Sequence, residues 1–159
     1  MSYGQKMKDD AIHFLMGLAD NIRSQSHDSN RQVGCVVVTS GALIMTTNRI
    51  PEWLDSSRPE RREQNEKPYW LEHAELSAIF KAAERGVSLR GAQMYCTRFP
   101  CDACARGILS SGISRLVCPD AEIHHPRWGE KMKRANVILQ ESGRIDVVTI
   151  PWKETSPAP

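Results

Sequence analysis

Apolar positions along the chain fall into blocks of two different periods. From Lys8 to Ile22 they recur at Ala11, Phe14, Leu15, Leu18, Ala19 and Ile22, the spacing of a helix with one buried stripe. Residues 33–39 (VGCVVVT) are rich in β-branched side chains and predict a buried strand, and 42–47 (ALIMTT) predict a second. Ser40-Gly41 between them predicts a two-residue hairpin loop. Helical spacing returns over 73–86 and stops at Gly86. Residues 92–98 predict a strand, and 101–112 a helix entered behind Pro100 and left at Gly112. A short strand over 114–118 follows, then an amphipathic helix over 127–143 with Trp128, Met132, Ala135, Ile138 and Leu139 inward. Residues 144–150 predict the last strand.

The order α-β-β-α-β-α-β-α-β contains one tight hairpin, and the later strands are spaced for right-handed parallel crossovers. That predicts an α/β fold with a mixed sheet and helices on both faces. Residues 48–72 interrupt the pattern. They are polar, with five basic and six acidic side chains, and a connection of that length in a compact domain points to function. Trp53 and Trp70 lie within it, and Trp70 is placed either over a site or in packing.

With 159 residues, 40% apolar and 25% charged, the chain is expected to be one globular domain over 1–159 with a flexible tail at 151–159. A net charge of +2 excludes a global basic field and predicts no stable nucleic-acid partner. No apolar run reaches the roughly 20 residues of a membrane span, so no membrane partner is expected. The charged N-terminal stretch lacks a signal-peptide pattern, which makes the cytoplasm the expected location. Five cysteines, an odd number, argue against a disulfide framework.

Cys101 and Cys104 stand three apart at a helix start, where both thiols face one way and the helix end favours thiolate. Cys35, Cys96 and Cys118 sit in strand-like runs and read as core residues. Among the histidines, His13, His27, His124 and His125 read as surface residues, whereas His73 opens a helix as Cys101 does. His73, Cys101 and Cys104 would bind zinc with one tetrahedral position open, the plan of a catalytic metal. Glu75, two residues beyond His73, points away from the ligand direction and is left free to move protons. A structural zinc site and a thioredoxin-like redox pair are the competing readings. The redox reading leaves His73 and Glu75 unexplained.

His73-Ala74-Glu75 followed by Pro100-Cys101-Asp102-Ala103-Cys104 resembles the motif pair of zinc-dependent nucleobase deaminases. Residues 31–38 (RQVGCVVV), 67–83 (KPYWLEHAELSAIFKAA) and 94–113 (MYCTRFPCDACARGILSSGI) are similar to one branch, the deoxycytidylate (dCMP) deaminases. The resemblance spans roughly 10–145 and includes a long segment before His73. It implies a three-layer α/β/α sandwich with a five-stranded mixed sheet, of the cytidine deaminase-like type. It also implies hydrolytic loss of ammonia from C4 of the cytosine of dCMP, and a homo-oligomer, dimer or hexamer. Carried over by position, His73, Cys101 and Cys104 bind the metal and Glu75 moves the protons. The Ala74 N–H meets the base carbonyl, and Asn48 meets base and sugar.

Arg31 is the first candidate for a 5′-phosphate of the small-molecule nucleotide, Arg98 the second, and Ser26 and Ser29 are weaker ones. Residues 48–72 contain neither Cys nor His, so one Zn²⁺ per chain is expected. The chain departs from the family pattern at Thr46, Thr47 and Arg49 around Asn48, at Ser77 and at Cys118. Two rival functions are a zinc deaminase acting on a nucleoside, a modified cytosine, a purine base or adenosine in RNA, and a non-enzymatic zinc-binding module.

Overall fold

In a computed structural model that describes residues 3–152, the elements follow the predicted order. They are α1 (Tyr3–Ile22), β1 (Gly34–Val38), β2 (Leu43–Thr47), α2 (Lys67–Trp70), α3 (Ala74–Glu84), β3 (Gln93–Cys96), α4 (Asp102–Ser111), β4 (Arg115–Cys118), α5 (Gly129–Ser142) and β5 (Asp146–Thr149). Short 3-10 turns lie at Arg23–Gln25 and Pro59–Arg62. The five strands form one sheet in the order β2-β1-β3-β4-β5.

The hairpin places β1 antiparallel to β2, and Ser40-Gly41 form its tip beneath a Thr39 N–H to Ala42 carbonyl bond of 2.9 Å. β3 also pairs antiparallel with β1, Cys35 opposite Cys96. β2 and β3 therefore run in the same direction with β1 between them, joined by a crossover through α3. β3, β4 and β5 are mutually parallel. The connection is thus the expected crossover, but the sequence did not show that β1 would fill the gap it spans.

Alternate side chains of the strands build two cores. Val36, Tyr95 and Val117 pack with Met16 and Ala19 of α1 on one face. Cys35, Val37, Met94, Cys96, Leu116 and Cys118 pack on the other face with α3, α4 and α5. The result is the three-layer α/β/α sandwich with its mixed five-stranded sheet. Of the residues expected inward on α5, Met132, Ala135 and Leu139 are buried, and Trp128 and Ile138 are half-buried.

The buried stripe of α1 differs from the expected one. Ile12, Leu15, Met16, Leu18 and Ala19 face the sheet, while Phe14 is 66% exposed and Ala11 is also exposed. Either set satisfies helical spacing; backbone contact selects between them. Gly34 of β1 lies so close to α1 that a Cβ there would sit 1.7 Å from the Ala19 carbonyl oxygen. That approach fixes Ala19 against the sheet and turns Phe14 outward. A buried Arg23–Asp20 ion pair of 2.6 Å continues the same face.

Residues 48–72 are not structureless. Backbone bonds of 3.1 and 2.9 Å between Arg49 and Glu72 close the segment at its base, and it carries the 3-10 turn and α2. Its two ends are thereby returned to the same place, with Asn48 and His73 one residue outside the closure. At the other end of the chain, Trp152 packs against the α1-side core, so it belongs with the fold rather than with the expected tail. Residues 153–159 lie outside the described residues.

Replacing Gly34 by Ala forces α1 off the sheet, because the atom it meets is backbone. The expected cost is at least about 3 kcal/mol, or a drop of roughly 10 °C in the midpoint of thermal unfolding. A shift under about 2 °C would contradict the packing of α1 against β1.

Candidate metal centre and active-site cleft

Two helix starts converge on one point. His73 precedes α3 and Cys101 precedes α4, both in extended backbone conformation, so each side chain projects back over the first turn of its helix. Cys104, one turn into α4, joins them. The His73 Nδ1 lies 3.5 Å from the Cys101 Sγ and 3.3 Å from the Cys104 Sγ. A tetrahedral zinc with ordinary bond lengths sets a ligand nitrogen about 3.5 Å from a ligand sulfur. The donor set and its spacing therefore fit one zinc ion, with three protein ligands, all within 4.8 Å of one another.

The electrostatics of the cluster are those of ligands sharing protons. Hydrogen bonding from Cys104, helped by His73, pushes the Cys101 thiol down to about 4. Donation to Cys101, reinforced by burial, pushes the Cys104 thiol up. The bond to Cys101 raises His73, against the effect of burial. A metal replaces these shared protons, since zinc binds the thiolates and neutral imidazole. Glu75, only 4% exposed, lies beside the cluster on the first turn of α3. Burial raises its carboxyl above the usual range. Cys35, Cys96 and Cys118 are core residues with no exposure, as their strand positions predict.

The cluster opens into a cleft of about 860 Å³, within the usual range of small-molecule sites. Of the expected site residues, Arg31, Asn48, His73, Ala74, Glu75, Arg98 and Cys101 line it. Asn48 is 7% exposed and already heavily bonded. Its Oδ1 accepts from the Val33 N–H at 2.8 Å and the Ser26 hydroxyl at 2.7 Å, and its Nδ2 donates to the Arg31 carbonyl at 2.8 Å. Asn48 therefore shapes the 26–33 loop as well as facing the cleft. Ser26 does not line the cleft; it braces Asn48 from behind. Arg98 lines the cleft and pairs with Glu122 at 2.8 Å.

Several side chains take places that the sequence did not assign to them. Thr46 donates its hydroxyl to the Ala74 carbonyl at 2.8 Å, tying the first turn of α3 to the end of β2. Trp128, expected as an inward residue of α5, meets the His73 ring edge-on at 5.8 Å. Trp70 does not cover the site: its indole N–H donates to Glu66 and Arg61 stacks on its ring at 4.1 Å. His125, expected at the surface, lines the cleft with Arg127 and Lys131. Lys67, 8% exposed, reaches Asp28 at 2.6 Å and ties the long insertion to the 26–33 loop. The zinc motif carried its own signal; these side chains come from segments whose position no local pattern announces.

One zinc per chain is expected in the purified protein. Cys104→Ser is expected to cut zinc retention at least about tenfold after dialysis, measured by atomic emission, because a neutral hydroxyl replaces a thiolate ligand. Full zinc occupancy in that variant would break the ligand assignment.

Comparison with known proteins agrees with this site. The family described as "Cytidine and deoxycytidylate deaminase zinc-binding region" matches residues 9–119. The chain is 32% identical over 137 residues to an uncharacterised deaminase from the luxG 3′ region of Aliivibrio fischeri, covering 84% of this chain and 89% of that protein. It is 44% identical over 82 residues to the deoxycytidylate deaminase of Enterobacteria phage T4, covering 51% of this chain and 42% of that one. The crystal structure of the dCMP deaminase from cyanophage S-TIM5, in complex with dCMP and dUMP, superimposes with a TM-score of 0.68 at 22% identity. The match covers 94% of this chain and 99% of that chain. A matched region running from α1 past the Cys101-Cys104 pair, and a relative aligned along most of its length, place this zinc-dependent enzyme in the cytidine and deoxycytidylate deaminase family.

Proposed function

We propose that the protein converts dCMP and water to dUMP and ammonia. The observation that carries this reading is a buried carboxyl, Glu75, beside a three-ligand zinc site at the floor of a nucleotide-sized cleft. A purely structural zinc has no use for such a neighbour. The deoxycytidylate deaminase similarity supplies the base and the sugar.

When bound by His73, Cys101 and Cys104, zinc supplies a Lewis acid at its fourth position and makes water nucleophilic near neutral pH. The chain's own residues do the rest. Glu75 takes a proton from the attacking water and passes it to N3 of the base. The C4–O bond forms; Glu75 then takes the remaining proton from the C4 hydroxyl and delivers it to the exocyclic nitrogen, and the C4–N bond breaks to release ammonia as the C4 carbonyl forms. Burial holds Glu75 out of bulk water, where such a carboxyl can cycle a proton close to neutrality. The Ala74 N–H, in the first turn of α3 where backbone donors have no intrahelical acceptor, serves as donor to the base carbonyl, and Thr46 fixes that turn. Asn48 offers its remaining Nδ2–H to the sugar. Arg31 serves the 5′-phosphate, while Arg98 is held by Glu122 and plays a lesser part.

The remaining assignments are coarser. No helix among the described residues is long and apolar enough to cross a membrane, which accords with a cytoplasmic enzyme of small-molecule substrates. Trp53, Tyr69 and Phe80, 81%, 80% and 52% exposed, accord with burial in a homo-oligomer.

Ammonia release from zinc-loaded protein tests the reading, with dCMP, CMP, deoxycytidine, 5-methyl-dCMP, adenosine and guanine offered in parallel. Turnover of dCMP that falls sharply for deoxycytidine is expected. Turnover confined to a purine or to RNA would overturn the substrate. Glu75→Ala is expected to retain zinc and to lose about 10²- to 10⁴-fold in kcat. Near-normal turnover in that variant would remove Glu75 from the mechanism.

A further inference from the structure

One edge of the His73 ring is held by the groups that share the metal position. Its Nδ1 faces the Cys101 and Cys104 sulfurs at 3.5 and 3.3 Å, and its backbone carbonyl accepts from the Ser77 N–H at 2.9 Å. Among the described residues, the Nε2 on the far side of the ring has no hydrogen-bond partner. A metal–nitrogen bond fixes one atom of an imidazole and leaves the ring plane free to rock about that bond. A histidine ligand ordinarily resists this by donating its other N–H to a carboxylate, a carbonyl or water. The side chain that meets the His73 ring is instead Trp128. The ring centroids are 5.8 Å apart and the planes are inclined by 68°, an edge-to-face arrangement at an attractive distance.

Trp128 is itself held from several sides. It stands at the entry to α5, where its N–H donates to the His125 ring Nδ1 at 3.2 Å and its carbonyl accepts from the Met132 N–H at 2.9 Å. The next residue, Gly129, is buried so closely that a Cβ there would lie 2.3 Å from the Ile123 carbonyl oxygen. The backbone beneath the indole therefore has little room to shift. The half-buried ring packs on the core shared by α3, α4 and α5. Arg31, Arg127 and Lys131 stand 5.1, 5.3 and 5.3 Å from its centroid, and cations at that range are attracted to the electron-rich indole face.

We propose that Trp128 is a positioning residue for the metal centre: its ring fixes the plane of the His73 imidazole, the task that a hydrogen-bonded carboxylate or carbonyl ordinarily performs for a histidine ligand. Trp128 acts through His73, so its contribution is read at the metal. The proposal depends on the ligand set His73, Cys101 and Cys104 and not on which nucleotide the enzyme deaminates. An indole also differs from a carboxylate in kind, since it orients the ligand without making it more basic. The requirement is therefore for an aromatic ring at position 128. Phenylalanine meets it and an aliphatic side chain does not.

Zinc affinity tests this, measured by competition with a chromophoric chelator on the wild-type protein, Trp128→Phe and Trp128→Leu. The Leu variant keeps apolar bulk without a ring and is expected to bind zinc about three- to tenfold more weakly, the worth of an aromatic pair at a metal ligand. The Phe variant is expected to stay within about twofold of wild type. In cobalt-substituted protein, the visible ligand-field bands are expected to shift in the Leu variant and to hold in the Phe variant. Thermal unfolding of the metal-free proteins separates positioning from packing. Both variants remove indole bulk from the same core, so their midpoints are expected to lie within about 3 °C of each other. Wild-type zinc affinity in the Leu variant, equal losses in the two variants, or unshifted cobalt bands would each overturn the proposal. So would a loss of affinity matched by an equivalent loss of metal-free stability, which would assign Trp128 to packing alone. None of these readouts uses turnover. A Leu-specific loss in a protein inert toward dCMP would support the positioning role and remove the proposed substrate, and equal affinities in a protein that deaminates dCMP would do the reverse.

Discussion

The meeting of two helix N-termini at a single point is the constraint on which the rest of the structure depends. α3 and α4 lie on the same face of the sheet, and each begins with a residue in extended conformation that aims a ligand atom at the other. The Nδ1–Sγ separations of 3.3 and 3.5 Å leave room for a zinc ion and for little else. Both helices also present the positive ends of their dipoles there, which favours the thiolate that Cys101 already approaches. Glu75 follows from the same geometry. One residue into α3 it is buried, and its carboxyl meets the Cys104 thiol while standing outside the three-ligand group, so it neighbours the metal position.

Around that point, the long insertion serves as scaffolding as much as surface. Its two ends are closed by the Arg49–Glu72 bridge, which lets the excursion return the chain to His73 in register. Its buried Lys67 then reaches across to Asp28, whose carboxylate also orders the Arg31 backbone. The loop after β4 supplies the opposite wall, with His125 ordering the turn before α5 and Trp128 as the surface on which cations gather. The floor of the cleft holds the metal ligands and Glu75, and the rim gathers cations. The two are joined by the contact between Trp128 and His73.

Most of the fold was legible because each element carried its own period and its own stop signal. Gly112 shows this directly: it leaves α4 with φ +84°, a conformation that glycine reaches without strain. The metal ligands were legible because thiols and an imidazole at two helix starts have few other uses. What stayed hidden depends on backbone approach and on distant segments. The stripe of α1 turned on the contact between Gly34 and Ala19, which no hydrophobic pattern encodes. His125 looked like a surface residue because what draws it to the cleft is a contact with Arg31, 94 residues away in the chain. Ser26 was near the mark in sequence but serves Asn48 instead of the cleft.

X-ray absorption at the zinc edge tests the central claim most directly, since it reads the ligands and the open position together. The account predicts two sulfur scatterers at about 2.3 Å and two nitrogen or oxygen scatterers at about 2.0–2.1 Å, one from His73 and one from solvent. A third or fourth sulfur would close the site, remove the position that catalysis needs, and contradict the account.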